Sequence, residues 1–311
     1  MRNFKASTLK SLKIRNIGVE ERDIHYRELT GDQPNNSSVR LYLFDNFLSS
    51  AECFGLMNAH NNHVSAANGE IGPIICFSDA GSMRNYMNEA GMTLQLTEND
   101  FSAGTTCVNA TISNQIGQFI KWSYSTSFYP GESVFSKRFD TRIEKATGLK
   151  SSNGGKFQLT SYPRGVGYKP HTDCIVGSTE KRDRFATILV YLQDVPKGGE
   201  TVFSELNISV RPIQGRALVW NNMDSDGKCQ PLSLHEAAPV IRGSKYIIQR
   251  WYYYESFYAL GKRSAEPELP PRVQDQPRVS CDKYEQGSCR WYDEWNFDHI
   301  KEYQRLKRDL H

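Results

Sequence analysis

Residues 157–192 have the sequence FQLTSYPRGVGYKPHTDCIVGSTEKRDRFATILVYL, in which two apolar runs flank a stretch rich in Gly, Pro and charge. Short β-branched and aromatic runs bounded by turn residues are typical of strands. The same pattern continues to residue 254. The predicted strands are Phe157–Tyr162, Phe185–Leu192, Thr201–Phe203, Ile208–Val210, Arg216–Trp220 and Tyr246–Tyr254. No long helical period separates these runs, so the pattern predicts an antiparallel barrel or jelly roll.

Two helices are predicted before this strand region. Phe47–His60 follows a predicted strand at Val39–Phe44, and Ser49 and Glu52 have the spacing of a capping box. A second amphipathic pattern covers Glu132–Thr147 and is stopped by Gly at position 148. We therefore expect an α+β, mainly β fold in which N-terminal helices support a β core.

The composition excludes several classes of protein. With 12% aromatic residues the chain can build a sizeable core, and a net charge of +3 gives no basic footprint for nucleic acid. No stretch approaches the roughly 18–20 apolar residues of a membrane span. The seven cysteines form no CxxC pair, which argues against a zinc ribbon.

Three residues of the strand region form a candidate metal site. His171 and Asp173 lie two positions apart, so in a strand both side chains would project from the same face. His235 follows 64 positions after His171. Two histidines and one carboxylate are the facial triad that binds Fe(II) and leaves positions open. Taken singly, each residue is more often a satisfied core or surface residue, and only the joint pattern favours a site.

Lys245 is the next candidate, ten residues after His235 and at the start of the last long strand. There it could pair with the distal carboxylate of an organic-acid cosubstrate. By strand parity Lys245, Ile247 and Trp251 share one face, which predicts an apolar-walled cavity with a charged end. The ordinary alternative is a solvated strand lysine.

Seven segments with consistent order carry a resemblance to a known family. They are Phe157-Gln-Leu-Thr-Ser-Tyr162, Gly167-Tyr-Lys-Pro-His-Thr-Asp173, Ala186-Thr-Ile-Leu-Val-Tyr-Leu192, Gly198-Gly-Glu-Thr-Val-Phe203, Pro212-Ile-Gln-Gly-Arg-Ala-Leu218, Leu234-His-Glu-Ala-Ala-Pro-Val240 and Gly243-Ser-Lys-Tyr246. Over residues 39–258 the chain resembles the prolyl 4-hydroxylase branch of the Fe(II)/2-oxoglutarate dioxygenases. The resemblance implies a double-stranded β-helix, or jelly roll.

The resemblance also implies roles for individual residues. His171, Asp173 and His235 match the iron ligands, Lys245 matches the partner of the 2-oxoglutarate C5 carboxylate, and Tyr162 matches a tyrosine that supports this carboxylate. Thr187 lies at a position that contacts the cosubstrate in relatives. Tyr168 and Trp251 match aromatic residues near the peptide groove, although both could simply belong to the barrel core. No catalytic residue is implied beyond the iron centre.

The implied reaction is hydroxylation of peptidyl proline to 4-hydroxyproline. It uses Fe(II), 2-oxoglutarate and O₂, with ascorbate to support turnover, and it releases succinate and CO₂. The expected partner is a proline-containing peptide or protein, collagen-like substrates included. Two alternatives stay open: the same chemistry on another acceptor (lysine, another side chain or a small molecule), and a non-catalytic peptide-binding barrel. The sequence does not determine the oligomeric state.

The cysteines and termini complete the expectations. Many relatives carry Cys three residues after the distal His, where this chain has Ala238, so we expect the family disulfide to be lost or rearranged. Cys281 and Cys289 form a disulfide candidate.

The predicted division of the chain is an arm (1–38), the dioxygenase domain (39–258), a Pro-rich linker (259–280) and a tail (281–311). Cysteines and four sequons favour the endoplasmic reticulum lumen or secretory pathway, whereas the lack of an apolar signal segment leaves a cytoplasmic location as the alternative.

Overall fold

In the computed structural model, the described residues are 24–31, 38–67, 123–128, 130, 133–177 and 183–254, with the single positions 88, 91, 97, 111, 112 and 115. The strands in chain order are β1 His25–Glu28, β2 Leu41–Asp45, β3 Tyr124–Phe128, β4 Phe157–Tyr162, β5 Tyr168–His171, β6 Arg184–Tyr191, β7 Lys197–Gly198, β8 Thr201–Phe203, β9 Ile208–Val210, β10 Ala217–Asn221, β11 His235–Ala237, β12 Val240–Arg242 and β13 Lys245–Tyr253. The two longest helices of this part are α1 Ser50–Ala67 and α2 Val134–Thr147, and 3-10 turns cover Ser151–Asn153, Ser204–Leu206 and Pro231–Ser233.

The strands form two main antiparallel sheets. The larger sheet has the order β1-β2-β10-β6-β13-β4-β3, and the smaller has the order β5-β11-β8-β9. A short ladder pairs β12 with β7. This arrangement is a mainly β double-stranded β-helix, so the predicted fold class is confirmed.

The central strands of the larger sheet are buried on both faces. Along β6, Ile188 and Val190 pack in a cluster with residues of both helices, whereas Leu189 and Tyr191 pack in a second cluster with residues of the smaller sheet. Successive side chains of a strand point to opposite faces, so a strand between two layers must be apolar throughout. This explains why residues 185–192 are apolar except for Thr187, whose buried hydroxyl is hydrogen-bonded.

Helix α1 begins at the cap that the sequence indicates, and helix α2 ends at the predicted glycine but begins at Val134 instead of Glu132. The Glu52 amide donates to Ser49 Oγ at 3.0 Å, and the Ser49 amide donates to Glu52 Oε2 at 2.8 Å, so the predicted capping box is present. Arg142 of α2 also binds Glu52, with Nη2 2.9 Å from Oε1, and this buried ion pair joins the two helices. Helix α2 ends at Gly148, whose φ of 75° is left-handed, as predicted.

The helix and arm boundaries differ from the expectations in two further places. Helix α1 starts at Ser50 instead of Phe47 and continues to Ala67. Within the arm predicted to be irregular, His25–Glu28 form β1, which pairs with β2. All four residues of β1 are exposed, so backbone pairing forms this strand without the apolar alternation that sequence analysis detects. No helix among the described residues is long and apolar enough to cross a membrane.

Candidate metal centre

His171 and His235 lie opposite each other on two paired strands. His171 is the last residue of β5, His235 is the first residue of β11, and the two are register partners in the smaller sheet. Their ring centroids are 4.4 Å apart. The antiparallel pairing therefore brings together two imidazoles that are 64 positions apart in the chain.

Asp173 reaches the two histidines from outside the strand. Strand β5 ends at His171, so the expected same-face geometry of a continuous strand is wrong for this pair. The carboxylate is instead carried by the bend after the strand, with Oδ1 3.6 Å from His171 Nε2 and Oδ2 4.0 Å from His235 Nε2. One donor atom of each of the three residues lies within 4.8 Å of the others.

The backbone orients both imidazole rings. His171 Nδ1 lies 2.9 Å from the Lys169 carbonyl oxygen, and His235 Nδ1 lies 2.9 Å from the Ser233 carbonyl oxygen. A carbonyl oxygen only accepts, so each Nδ1 carries the hydrogen, and each Nε2 keeps its lone pair. Both Nε2 atoms are the ones nearest Asp173, as a shared cation would require.

The charge of this cluster suits a divalent cation. Burial acts to raise the pKa of the Asp173 carboxyl. The nearby His235, His171 and Arg184 together lower this pKa by a larger amount, so the net pKa lies well below the usual range. Burial lowers the pKa of His235, which favours the neutral ring. Two imidazoles and one carboxylate form a facial donor set that binds Fe(II).

A buried hydroxyl supports the carboxylate. Thr187 Oγ1 on β6 donates to Asp173 Oδ2 at 2.6 Å and accepts from Asn222 Nδ2 at 2.9 Å. Thr187 is 1% exposed. The structure therefore gives this residue a contact with the candidate metal ligand, whereas its expected contact with the cosubstrate stays a prediction. Sequence analysis did not identify Asn222.

One cavity of about 930 Å³ is lined by the three candidate ligands and by Lys245. Lys245 is 1% exposed, and among the described residues its Nζ has no hydrogen-bond partner. Nζ lies 5.5 Å from the ring centroid of Tyr162, its register partner on β4, and 5.6 Å from that of Tyr191. Burial lowers the pKa of Lys245 from 10.5 to about 7, although nearby Glu200 acts in the opposite direction.

Aromatic residues and an arginine lie at the same cavity. The ring of Tyr168, which is 48% exposed, contacts His171 edge-on with centroids 4.6 Å apart. Trp251 is buried, and the Arg184 guanidinium lies 4.0 Å from its ring centroid. Sequence analysis did not identify Arg184, which ends the charged run at residues 180–184. It places a cation at the cavity wall beside the ring of Trp251.

A disulfide lies beside the centre, and of its two cysteines only Cys229, upstream of the distal His, was considered for a rearranged family disulfide; the pairing itself was not predicted. Cys174 follows Asp173 directly and is bonded to Cys229. Cys281 and Cys289 lie outside the described residues, so their pairing stays a prediction.

The residues of this site lie within a stretch that is similar to known proteins. A family model described as the 2OG-Fe(II) oxygenase superfamily matches residues 157–253. Prolyl 4-hydroxylase subunit alpha-1 of Gallus gallus is 36% identical over 131 residues, which are 39% of this chain and 25% of that protein. Probable prolyl 4-hydroxylase 3 of Arabidopsis thaliana is 25% identical over 261 residues, which are 77% of this chain and 76% of that protein.

The matched span of the Gallus gallus relative is thus only about a quarter of its length. Among solved structures, a viral collagen prolyl hydroxylase from Paramecium Bursaria Chlorella virus-1 has a TM-score of 0.46 at 22% identity, over 68% of this chain and 94% of that chain.

Proposed function

We propose that the chain is a member of the prolyl 4-hydroxylase family of 2OG-Fe(II) oxygenases, to which it is similar, and that it hydroxylates peptidyl proline to 4-hydroxyproline. The reaction consumes 2-oxoglutarate and O₂ and releases succinate and CO₂. Fe(II) is the proposed metal, and ascorbate is the proposed reductant that sustains turnover.

The observation that carries this proposal is the buried amine of Lys245, which has no hydrogen-bond partner among the described residues and lies in the cavity of the His-Asp-His cluster. A buried amine without a partner is costly, so its retention indicates an anionic ligand. A dicarboxylate that reaches from a metal at His171, Asp173 and His235 to Lys245 would satisfy both ends of the cavity. The residues present therefore fit Fe(II) and 2-oxoglutarate.

With Fe(II) and 2-oxoglutarate bound, the centre supplies oxidative decarboxylation of the cosubstrate coupled to hydroxylation of a C–H bond. The chain's own residues bind and orient the reactants. Thr187 holds the Asp173 carboxylate, and the carbonyls of Lys169 and Ser233 hold the two imidazoles.

Other cavity residues keep the space dry and position the cosubstrate. Leu189 and Ile247 line the cavity between the two sheets and exclude water. Tyr162 lies beside Lys245 and is proposed to support the distal carboxylate through its hydroxyl. Burial raises the pKa of this hydroxyl, so it stays protonated and can donate.

The proposed acceptor is a proline in an extended peptide. Segments with polyproline II conformation dock on aromatic surfaces, and Tyr168 and Trp251 offer such surfaces at the cavity. Arg184 adds donors for peptide carbonyl oxygens next to Trp251. A collagen-like sequence, rich in proline, is a substrate of this class.

We propose an oxidising, secretory compartment for this enzyme. The Cys174–Cys229 disulfide supports this location, because structural disulfides persist mainly outside the reducing cytosol. The boundaries of the dioxygenase domain at residues 39–258, with an arm before it and a linker and tail after it, remain part of the proposal.

The test is a peptide panel incubated with the full chain, Fe(II), 2-oxoglutarate and ascorbate. We expect proline-rich peptides to gain the mass of one oxygen atom on proline, with succinate released in equal amount, and His235→Ala to abolish both. Succinate release that depends on a lysine peptide or a small molecule instead would contradict the proline acceptor. Bound metal without any succinate release would refute the enzyme proposal and leave a binding barrel.

A further inference from the structure

The Cys174–Cys229 disulfide joins two segments that each carry a candidate metal ligand. Cys174 is the residue after Asp173, and Cys229 lies six positions before His235. Cys174 is fully buried and packs with Met223 and Cys229 in a small cluster beside Phe185 and Tyr254. The covalent bond therefore joins the segment that carries the candidate carboxylate to the segment that carries one of the candidate imidazoles.

Backbone hydrogen bonds connect Cys229 to the ring of His235. Met223 and Cys229 form an isolated antiparallel bridge, and the Gln230 amide donates to the Asn222 carbonyl oxygen at 2.8 Å. The 3-10 turn Pro231–Ser233 follows at once. Its last carbonyl, that of Ser233, accepts from His235 Nδ1 at 2.9 Å. The position of Cys229 thus constrains the orientation of the His235 ring through the five residues between them.

A second contact leads from the same segment to Asp173. Asn222 Nδ2 donates to Thr187 Oγ1, which donates to Asp173 Oδ2. Asn222 is fully buried, and Thr187 Oγ1 links its Nδ2 to the carboxylate of Asp173, the residue before Cys174. The segment 222–233 is therefore connected to two of the three candidate ligands, to His235 through the Ser233 carbonyl and to Asp173 through Thr187. The disulfide adds a covalent link between the segments that carry these two ligands.

We propose that the Cys174–Cys229 disulfide is a positioning element of the metal centre. It holds Asp173 and His235 at the separation that a divalent cation needs, and this role rests on the metal site of the proposed function. Without the bond, the residues after Asp173 are held by hydrogen bonds such as that from the Ile175 amide to Asp183 Oδ2 at 2.5 Å. Loss of groups that orient metal ligands typically lowers metal affinity about 10- to 100-fold.

The experiment titrates the apo full-length chain with Co(II), as an oxygen-stable probe of the Fe(II) site, by calorimetry and visible absorption. The samples are the oxidised protein, the protein reduced by a dithiol and freed of it without air, and C174A/C229A. Reduction transfers two electrons and two protons to the disulfide, which gives two thiols and oxidises the dithiol. We expect the double variant and the reduced protein to bind Co(II) about tenfold more weakly, with an altered ligand-field spectrum.

Two controls separate a local effect from a loss of stability. C53A removes a thiol from the buried core next to the helices, away from the centre, and should lower the melting temperature without changing Co(II) affinity. Dithiol treatment of C174A/C229A should not change its Co(II) affinity further. This control tests whether reduction of the other cysteines affects the centre.

Equal Co(II) affinity in the oxidised and reduced proteins overturns the proposal. If the double variant does not fold, the comparison of the oxidised with the reduced protein is the test. If the oxidised protein binds no Co(II), the metal site itself fails, and with it the proposed function.

Discussion

Lys245→Met should raise the stability of the apo protein and abolish its affinity for 2-oxoglutarate. The folded lysine has a pKa of about 7, whereas the unfolded chain has the ordinary value of 10.5. At about pH 7.5 the unfolded state therefore binds a proton that the folded state has largely released. At 1.36 kcal/mol per pKa unit, this difference lowers the free energy of unfolding by about 4 kcal/mol. This penalty is present below about pH 10.5 and shrinks as the pH rises through the window from 7 to 10.5.

Methionine has a similar length, carries no charge and adapts to irregular space. Since repacking is imperfect, we expect a gain in unfolding free energy of about 1–4 kcal/mol, as found when buried charges are replaced by apolar residues. A domain of this size gains about 2–4 °C in melting temperature for each kcal/mol. The ligand should lose about 3–5 kcal/mol of binding free energy, because its distal carboxylate would be buried without a partner. That corresponds to at least about 100-fold in affinity.

The assay is thermal unfolding of the apo protein near pH 7.5 and again near pH 9.5, with calorimetric titration of 2-oxoglutarate in the presence of Co(II). The expected gain in melting temperature is smaller at the higher pH. Lys197→Met is the matched control, because Lys197 is exposed on β7 and should change both quantities little. A lower melting temperature for Lys245→Met, or an unchanged affinity for 2-oxoglutarate, would refute the argument.

Two further predictions concern the same cavity. Because Lys245 is largely neutral above its pKa of about 7 and a bound carboxylate favours the charged form, binding of 2-oxoglutarate should take up close to one proton at about pH 8.5 and almost none at about pH 6. Titrations in buffers of different ionisation enthalpy measure this, and equal uptake at both pH values would contradict it. Thr187→Val removes the donor to Asp173 Oδ2 and the acceptor of Asn222, so Co(II) affinity should fall about 10- to 100-fold. Thr187→Ser should restore most of it, and a valine variant with normal affinity would show that the hydroxyl does not orient the carboxylate.

The strands that sequence analysis predicts are those whose side chains alternate or are buried on both faces. Phe157–Tyr162, Thr201–Phe203 and Ile208–Val210 have the predicted bounds, the later runs differ by one residue at each end, and the run predicted at Val39–Phe44 is Leu41–Asp45. The analysis misses β1, β3, β5, β7, β11 and β12. Of these, β1 and β5 are mostly exposed, β5 contains Pro170, and β7, β11 and β12 are two or three residues long. Their pairing depends on backbone hydrogen bonds, which leave no hydrophobic pattern in the sequence.

The candidate site likewise contains some residues that sequence analysis predicts and others that only the tertiary structure brings together. His171, His235 and Lys245 are predictable because the histidines come to face each other across paired strands, and strand parity directs Lys245 into the cavity. The placement of Asp173 depends on a bend after the strand, and the disulfide and the Asn222 contact depend on a loop that folds back from β10. Such contacts join residues 14 to 55 positions apart without any periodic signal.

The charges of the cavity suggest why a metal and a dicarboxylate would be held together. Asp173 carries one negative charge, and protonated Lys245 carries one positive charge at the other candidate anchor point. A divalent cation adds two positive charges, and 2-oxoglutarate adds two negative charges, so binding of both leaves the net charge of the cavity unchanged. Either ligand alone would change this net charge by two beside the buried side chains of Asp173 and Lys245, which is costly. Each ligand should therefore favour the binding of the other, and by linkage the coupling free energy is the same whichever binds first.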